Sequence, residues 1–174
     1  ALEAMTLLPE NPSDRTLPPT SKCGTQAKGC VGFVEGCVMP VMFGGTNHAS
    51  VQLLNQSGYD VETPSGQRCC GALYAHSGQL EKARECARQN IASFEKLNLD
   101  AIVINAAGCG STLKEYGELL ADDTDWRERA SRFSGQVKDL TEWLETSQFP
   151  ALDSKLKVTY HDACHLAHPQ GITV

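Results

Sequence analysis

The sequence contains no long hydrophobic run, no basic stretch and few aromatic residues, and each absence argues against a class of protein. No apolar segment approaches the roughly 20 residues that a transmembrane helix needs. The formal charge is −6, from 21 acidic and 15 basic side chains, and no basic patch typical of nucleic-acid binding is present. Aromatic residues make up only 6%, too few for a surface that stacks single strands. The sequence therefore predicts an acidic globular protein with no nucleic-acid partner and no transmembrane segment.

Three common motifs of α/β proteins are also missing. The glycines near the first predicted strand do not form the G-x-G-x-x-G fingerprint of dinucleotide binding, and no phosphate-binding Walker loop is present. A C-x-x-C pair is absent as well, which removes the usual device for dithiol exchange. These absences turn attention to the residue that is abundant.

Cysteine occurs eight times in 174 residues. An even number invites a disulfide interpretation, but disulfide scaffolds are usually short secreted chains without an extended core. This chain instead carries long helical and strand patterns, and in such proteins cysteines more often bind metals or take part in catalysis. The positions are Cys23, Cys30, Cys37, Cys69, Cys70, Cys86, Cys109 and Cys164.

Hydrophobic periodicity predicts alternating strands and helices after a proline-rich arm at residues 1–30. Such an alternation is typical of an α/β fold: a parallel sheet with helices on both faces, in a Rossmann-like three-layer arrangement. Ser111 is expected to cap a helix, and Lys114, Glu115 and Tyr116 to form a solvent-exposed or partner-facing surface. The predicted strands are 31–36, 59–63, 101–105 and 155–160, and the predicted helices are 40–56, 80–94, 112–120, 126–133 and 137–144.

Five cysteines lie just after predicted strands. Cys37, Cys109 and Cys164 each follow one, and Cys69-Cys70 lies in the loop after another. Because parallel strands end at the same edge of a sheet, these cysteines are expected to converge where α/β proteins bind ligands. Thiolates suit iron–sulfur clusters and zinc. The alternative is ordinary packing, which we expect for Cys86, while Cys23 and Cys30 are expected to be incidental or locally paired.

Glycines and histidines accompany the cysteines. Gly71, Gly108 and Gly110 would let the backbone come close to a bulky inorganic group. His161 and His165 flank Cys164 and are candidate metal ligands, with hydrogen-bonded structural roles as the alternative. No residue is assigned a catalytic role.

Four blocks of the sequence resemble the iron–sulfur subunit of glycolate oxidase. They are Cys69-Cys70-Gly71-Ala72-Leu73, Asn105-Ala106-Ala107-Gly108-Cys109-Gly110, Lys114-Glu115-Tyr116-Gly117 and Tyr160-His161-Asp162-Ala163-Cys164-His165-Leu166-Ala167-His168. Cys37, the Cys69-Cys70 pair and Cys109 also resemble the cysteine-rich CCG module of the heterodisulfide reductases. The spacing is of the right kind, with 31 residues between Cys37 and Cys69 and 38 between Cys70 and Cys109.

The resemblance implies a 4Fe-4S cluster held by Cys37, Cys69, Cys70 and Cys109. In heterodisulfide reductase relatives the module ends in C-x-x-C and binds a non-cubane cluster, but here Thr112 stands three positions after Cys109. The four remaining thiolates suit a conventional cubane, a modified cluster or tetrahedral zinc. Cys164 or a nearby histidine is a candidate for the missing ligand.

The resemblance also implies a function and an organisation. The chain is expected to be a non-catalytic electron-transfer subunit of a glycolate oxidase-type, flavin-dependent 2-hydroxy-acid dehydrogenase. Electrons would pass from flavin-containing subunits to a quinone or other membrane acceptor, with the protein in the cytoplasm or peripheral at the inner face of the membrane. Residues 31–156 would form the first CCG module, and residues 157–174 would begin a second, in which Cys164 serves another site. The alternatives are a zinc-stabilised structural or assembly module and a heterodisulfide-reductase-like thiol redox enzyme.

Overall fold

Five strands form one sheet in the order β1–β3–β2–β4–β5. The structure is a computed structural model, and it describes residues 16–24, 26–147, 156–157 and 159–173. Strands β2 to β5 are parallel, and β1 pairs antiparallel with β3 at one edge. The strands are β1 (Thr20–Ser21), β2 (Gly29–Phe33), β3 (Tyr59–Glu62), β4 (Ala101–Ile104) and β5 (Val137–Asp139).

Helices cover both faces of this sheet. Side chains alternate along a strand, so Ile102 and Ile104 pack with one set of helices while Ala101 and Val103 pack with the other. Two hydrophobic clusters result, one on each face, which confirms the predicted three-layer α/β fold. The helices are α1 (Met39–Met42), α2 (Gly44–Gln56), α3 (Ala72–His76), α4 (Leu80–Phe94), α5 (Ala107–Lys114), α6 (Tyr116–Leu119), α7 (Arg127–Gln136), α8 (Leu140–Glu145) and α9 (Cys164–Ala167).

The path of the chain reverses direction across the sheet at β2. From β2 it crosses to β3 through α2, which packs on the face that contains Val51 and Leu54. From β3 it returns past β2 to β4 through α4, which packs on the opposite face with Ile91 and Phe94. The crossovers on opposite faces leave a crevice beyond the carboxyl ends of β2 and β4, the place where open α/β sheets bind ligands.

The fourth parallel strand differs from the prediction. It is β5, where a helix over 137–144 was predicted, and the helix α8 begins only at Leu140. Val137 and Asp139 are buried on either side of the half-buried Lys138, and Asp139 then caps α8 in a capping box with Glu142. The prediction of a strand over 155–160 is wrong: residues 156, 157, 159 and 160 are described, and none of them is in a strand. Lys155 and Val158 lie outside the described residues.

Two other predicted boundaries are corrected. The helix expected to start after Ser111 begins at Ala107 and is broken into α5 and α6, so Ser111 lies inside α5. Regular structure was not expected in the proline-rich arm, but Thr20–Ser21 pair with β3. This pairing is possible because Pro18 and Pro19 precede the strand and do not interrupt it. Leu17 of the arm is buried in the cluster on the α2 face. Residues 1–15 of the arm lie outside the described residues.

Candidate metal centre

Four cysteines line one pocket of about 340 Å³ beyond the carboxyl ends of β2, β3 and β4. Cys37 follows β2, the Cys69-Cys70 pair lies in the loop after β3, and Cys109 lies in the first turn of α5 after β4. Cys70 is buried, Cys69 and Cys109 are half-buried, and Cys37 is exposed at the opening. The structure therefore brings Cys37 and Cys109, which are 72 positions apart in the sequence, to the same pocket.

Hydrogen bonds connect the four thiols in a row, Cys37 with Cys69, Cys69 with Cys70 and Cys70 with Cys109. Cys70 donates a hydrogen bond to the sulfur of Cys109, and this contact together with burial raises the pKa of Cys70 well above the usual range. The same hydrogen bond lowers the pKa of Cys109 against the opposing effect of burial. Burial, with a hydrogen bond to Cys69, raises the pKa of Cys37. In the metal-free chain, Cys109 thus ionises more readily than Cys70.

Side-chain amides tie the three cysteine loops together. Gln67, just before the cysteine pair, accepts a 2.9 Å hydrogen bond from the Glu35 amide, which lies just before Cys37. Asn47 of α2 donates to the Glu35 carbonyl (3.1 Å) and accepts from Asn105 at the end of β4 (3.0 Å). Since Glu35 and Asn105 precede Cys37 and Cys109, these bonds fix the spacing between the loops that carry the thiols.

Gly71 shapes the backbone directly after the cysteine pair. Its φ angle is +87°, in the left-handed region that favours glycine, and it caps the start of α3. Its amide donates to the Cys69 sulfur at 3.5 Å. A β-carbon at this position would come within 3.2 Å of the Ala83 backbone in α4. Gly71 therefore supports the site through close packing rather than by lining the pocket.

The buried side chains of Asn90 and Tyr116 hydrogen-bond to the backbone of the cysteine pair. Tyr116 donates to the Cys70 carbonyl at 2.8 Å, and Asn90 donates to the Cys69 carbonyl at 3.1 Å. Tyr116 was expected on an exposed surface, and this expectation is wrong: its side chain is fully buried. Asn90 was not singled out from the sequence. It lies three residues after Ala87 on the apolar stripe of α4. A polar residue on that buried stripe could have indicated a structural hydrogen bond in the core.

The other predicted site residues divide into two groups. Gly108 and His165 line the pocket, as does His76, which sequence reasoning had not chosen. Gly110, Cys164 and His161 are not among the lining residues, and Cys164 and His161 are exposed. Cys164 does not follow a strand in the described residues; it begins α9, which packs against α5. Cys86 packs beside Gly71, and Cys30 lies near the amino end of β2, away from the pocket.

The arrangement of the thiols differs from that of a preformed single-ion site. Within the described part of the chain, no three His, Cys, Asp or Glu side chains converge as a set that could hold one metal ion. All eight cysteines are described, and none of them forms a disulfide. All four thiols line the same pocket, and four thiolates are a ligand set that iron–sulfur clusters and zinc have in common.

The pocket lining is apolar apart from the thiols and two histidines. None of the described residues that line it is Asp, Glu, Lys or Arg. Val38, Met39 and Leu73 contribute apolar surface near the opening. Such a pocket has no basic side chain to bind a carboxylate substrate and no carboxylate to act as a general base.

Comparison with known proteins identifies the domain. Residues 31–114 match the family CCG, described as a cysteine-rich domain. Residues 31–114 belong to the CCG cysteine-rich domain family. The match begins in β2 and ends at the last residue of α5, so this CCG domain contains all four cysteines that line the pocket.

Three curated proteins illustrate the relatives of this CCG domain. The chain is 46% identical over 140 residues to the "Probable glycolate oxidase iron-sulfur subunit" of Bacillus subtilis, an alignment that covers 78% of this chain and 32% of that protein. It is 33% identical to the "Glycolate oxidase iron-sulfur subunit" of Escherichia coli, over 80% of this chain and 36% of that protein. It is 31% identical to "Lactate utilization protein A" of Shouchella clausii, over 75% and 55% respectively. The chain thus spans about a third of the first two relatives and about half of the third.

No helix in the described ranges combines the length and the apolar character required to cross a bilayer.

Proposed function

We propose that this chain is part of the iron–sulfur, electron-transferring subunit of a flavin-dependent 2-hydroxy-acid dehydrogenase complex of the glycolate oxidase type. The observation that carries the proposal is the convergence of Cys37, Cys69, Cys70 and Cys109 on one apolar pocket at the crevice of the sheet. Four thiolates are the protein ligand set of 4Fe-4S clusters. These four residues are the proposed ligands.

The names of the relatives favour a cluster over zinc, since two of them are called iron-sulfur subunits. Structural zinc needs four ligands that converge tetrahedrally on one ion. The four cysteines that line the pocket could supply such a set too, so the metal and sulfide content decides between zinc and a cluster. A cluster supplies one-electron redox chemistry when bound. This chain's part is to hold it through the four sulfurs and to surround it with apolar side chains and backbone amides, which tune its reduction potential.

The surroundings of the pocket favour electron transfer over substrate oxidation. A 2-hydroxy acid carries a carboxylate, and the pocket has no lysine or arginine among its described lining residues to bind it. Oxidation of the hydroxyl to a carbonyl releases two electrons and two protons, which a flavin can accept together. We therefore assign the flavin and the substrate to partner subunits, and assign to this chain the passage of electrons, one at a time, to a quinone or other membrane acceptor.

The names of the relatives support the substrate class. Two are named as glycolate oxidase iron-sulfur subunits and one as a lactate utilization protein. Glycolate and lactate are both small 2-hydroxy acids, so the proposal is framed for that class. The complex is proposed to lie in the cytoplasm, either free or peripheral at the inner face of the membrane. Residues 31–156 are proposed as the first CCG module and residues 157–174 as the start of a second.

Metal and acid-labile sulfide analysis of the chain, purified without oxygen or reconstituted with iron and sulfide, tests this proposal. We expect about four iron atoms with matching sulfide per chain. The Cys69→Ser, Cys70→Ser variant should lose both. Cys30→Ser is the matched control, since Cys30 lies near the amino end of β2, and it should retain them.

Two results would overturn the assignment. Tightly bound zinc without sulfide would make the domain a structural or assembly module. Reduction of disulfide substrates by the metal-free chain, lost on replacing Cys69 or Cys70 by serine, would make it a thiol redox enzyme.

A further inference from the structure

Among the described residues, His165 is the only part of the segment after residue 147 that lines the cysteine pocket. It lies on α9, which packs against α5, the helix that carries Cys109. The Gln170 side-chain amide donates to the Ala107 carbonyl at 2.9 Å and to the His165 carbonyl at 3.1 Å. Ala107 is the first residue of α5, so Gln170 links the backbone of His165 directly to the helix of Cys109.

The segment around His165 has its own anchoring contacts. Leu166 is buried, with 8% of its surface exposed. The Ile172 amide donates to the Leu166 carbonyl at 2.9 Å, which closes the chain back on α9. The exposed imidazole of His165 is therefore carried by backbone that is fixed beside the pocket.

Other candidates for an additional ligand are placed less favourably. The hydroxyl of Thr112, three positions after Cys109, is already engaged with the Gly108 carbonyl at 3.3 Å, and the residue is buried. Cys164, His161 and His168 are exposed and do not line the pocket. His76 lines it but lies in the last turn of α3, where an imidazole interacts favourably with the carbonyl end of the helix.

We propose that His165 is a nitrogen ligand of the metal centre formed by the four cysteines. This inference rests on the proposed iron–sulfur function and deepens it. Four thiolates place four negative charges in a pocket whose described lining contains no lysine or arginine. A cubane with one cysteine on each iron has no position for another ligand, so the proposal applies to the modified cluster, in which Thr112 stands where the C-x-x-C module has its last cysteine. There a neutral imidazole can take the place of that cysteine without adding a fifth negative charge. Imidazole is a good ligand for iron, and histidine in place of cysteine raises the reduction potential of a cluster.

Pulsed electron paramagnetic resonance on the reconstituted full chain, labelled with ¹⁵N-histidine and poised in a paramagnetic state, tests this ligand. We expect a strong hyperfine coupling to one histidine nitrogen. The coupling should be lost in His165→Ala and kept in the matched controls His76→Ala and His168→Ala. Cluster retention against a chelator should fall about 10-fold or more in His165→Ala.

A cysteine variant adds an independent measurement. His165→Cys should keep its iron and sulfide, lose the nitrogen coupling and shift the reduction potential downward, because an anionic thiolate replaces a neutral imidazole. A coupling that survives in His165→Ala, or that disappears only in His76→Ala, would overturn the assignment of His165. A cluster that forms without any histidine coupling would overturn it too, while leaving the proposed function intact. Absence of iron and sulfide from the wild-type chain would overturn both.

Discussion

The side-chain amide of Asn90 donates a 2.9 Å hydrogen bond to the hydroxyl of Tyr116, and both side chains are almost completely buried. Each residue also donates to a carbonyl of the cysteine pair, Asn90 to Cys69 and Tyr116 to Cys70. A fourth hydrogen bond runs from the Arg68 backbone amide to the side-chain oxygen of Asn90 at 2.6 Å. The backbone that orients both adjacent thiols is thus held by two polar side chains inside an otherwise apolar core.

Replacement of Tyr116 by phenylalanine should destabilise the metal-free chain. The change removes one hydroxyl and leaves the Cys70 carbonyl and the Asn90 amide without this buried partner, so we expect a loss of about 1–3 kcal/mol in the free energy of unfolding. Urea denaturation measures it. Tyr74→Phe is the control, because Tyr74 is 38% exposed, and it should change stability little. Equal effects of the two variants would show that the Tyr116 hydroxyl does not support the cysteine pair.

Gly71 and Gly78 form a second matched pair. Both have positive φ, +87° and +78°, but a β-carbon at Gly71 would meet the Ala83 backbone at 3.2 Å, whereas at Gly78 nothing lies within 4 Å. Gly78→Ala should lose about 1–2 kcal/mol from backbone strain alone. Gly71→Ala should lose about 1–3 kcal/mol more, because it also overpacks the contact with α4. Thermal or urea unfolding of the two variants compares these losses, and similar values would mean that the close approach at Gly71 relaxes freely.

Replacement of Gly108 by alanine should separate stability from cofactor binding. Gly108 is the second residue of α5 and lines the pocket, with open space where a β-carbon would be. In the metal-free chain we expect a gain of about 0.4–1 kcal/mol, because alanine restricts the unfolded state. Iron and sulfide content should fall, because the new methyl group occupies the pocket.

Gly45→Ala provides the control for this change. Gly45 is the second residue of α2, has equally open space and does not line the cysteine pocket. It should show the same stabilisation with no loss of iron. Full iron content in Gly108→Ala would place the metal centre away from the start of α5.

Glu142 should make the stability of the chain depend on acid pH. Burial alone would raise its pKa, but hydrogen bonds from Lys114 and Lys138 outweigh burial and lower it below the ordinary value of 4.5. A carboxyl whose pKa is lower in the folded state stabilises the fold above its unfolded pKa. That contribution disappears as the pH falls through the lowered value. Wild type should therefore exceed Glu142→Gln in stability at neutral pH, and the difference should shrink as the pH falls below 4.5 and through the lowered pKa of Glu142.

Glutamine is the suitable replacement because its side-chain oxygen can still accept from the Asp139 amide in the capping box. The free energy of unfolding of the metal-free chain, measured between pH 7 and pH 3, tests the expectation. Glu145→Gln on the exposed side of α8 is the control and should run parallel to wild type. A constant difference across the range would assign the effect of Glu142 to packing rather than to charge.

Local patterns were sufficient for much of the fold. The apolar stripe of α4 predicts a helix over 80–94, and the structure has Leu80–Phe94. The run Ala101–Ile104 is apolar on both faces, which predicts a buried parallel strand. Strand β5 escaped prediction because three residues carry too little periodicity to separate a strand from the helix that follows, and only pairing with β4 makes it a strand.

The sequence by itself determined the α/β fold, and it placed Cys37, Cys69, Cys70 and Cys109 at one edge of the sheet, because residues that follow parallel strands meet there. The same argument placed Cys164 at that edge, which is wrong, and only the family resemblance separated the four from the fifth. Tertiary structure alone decided which neighbours join them. Tyr116 lies under the cysteine pair because packing of α6 against α7 buries it, and His165 reaches the pocket because Gln170 fixes α9 on α5. Contacts between elements leave no periodic signal in the sequence, since they depend on how whole elements pack.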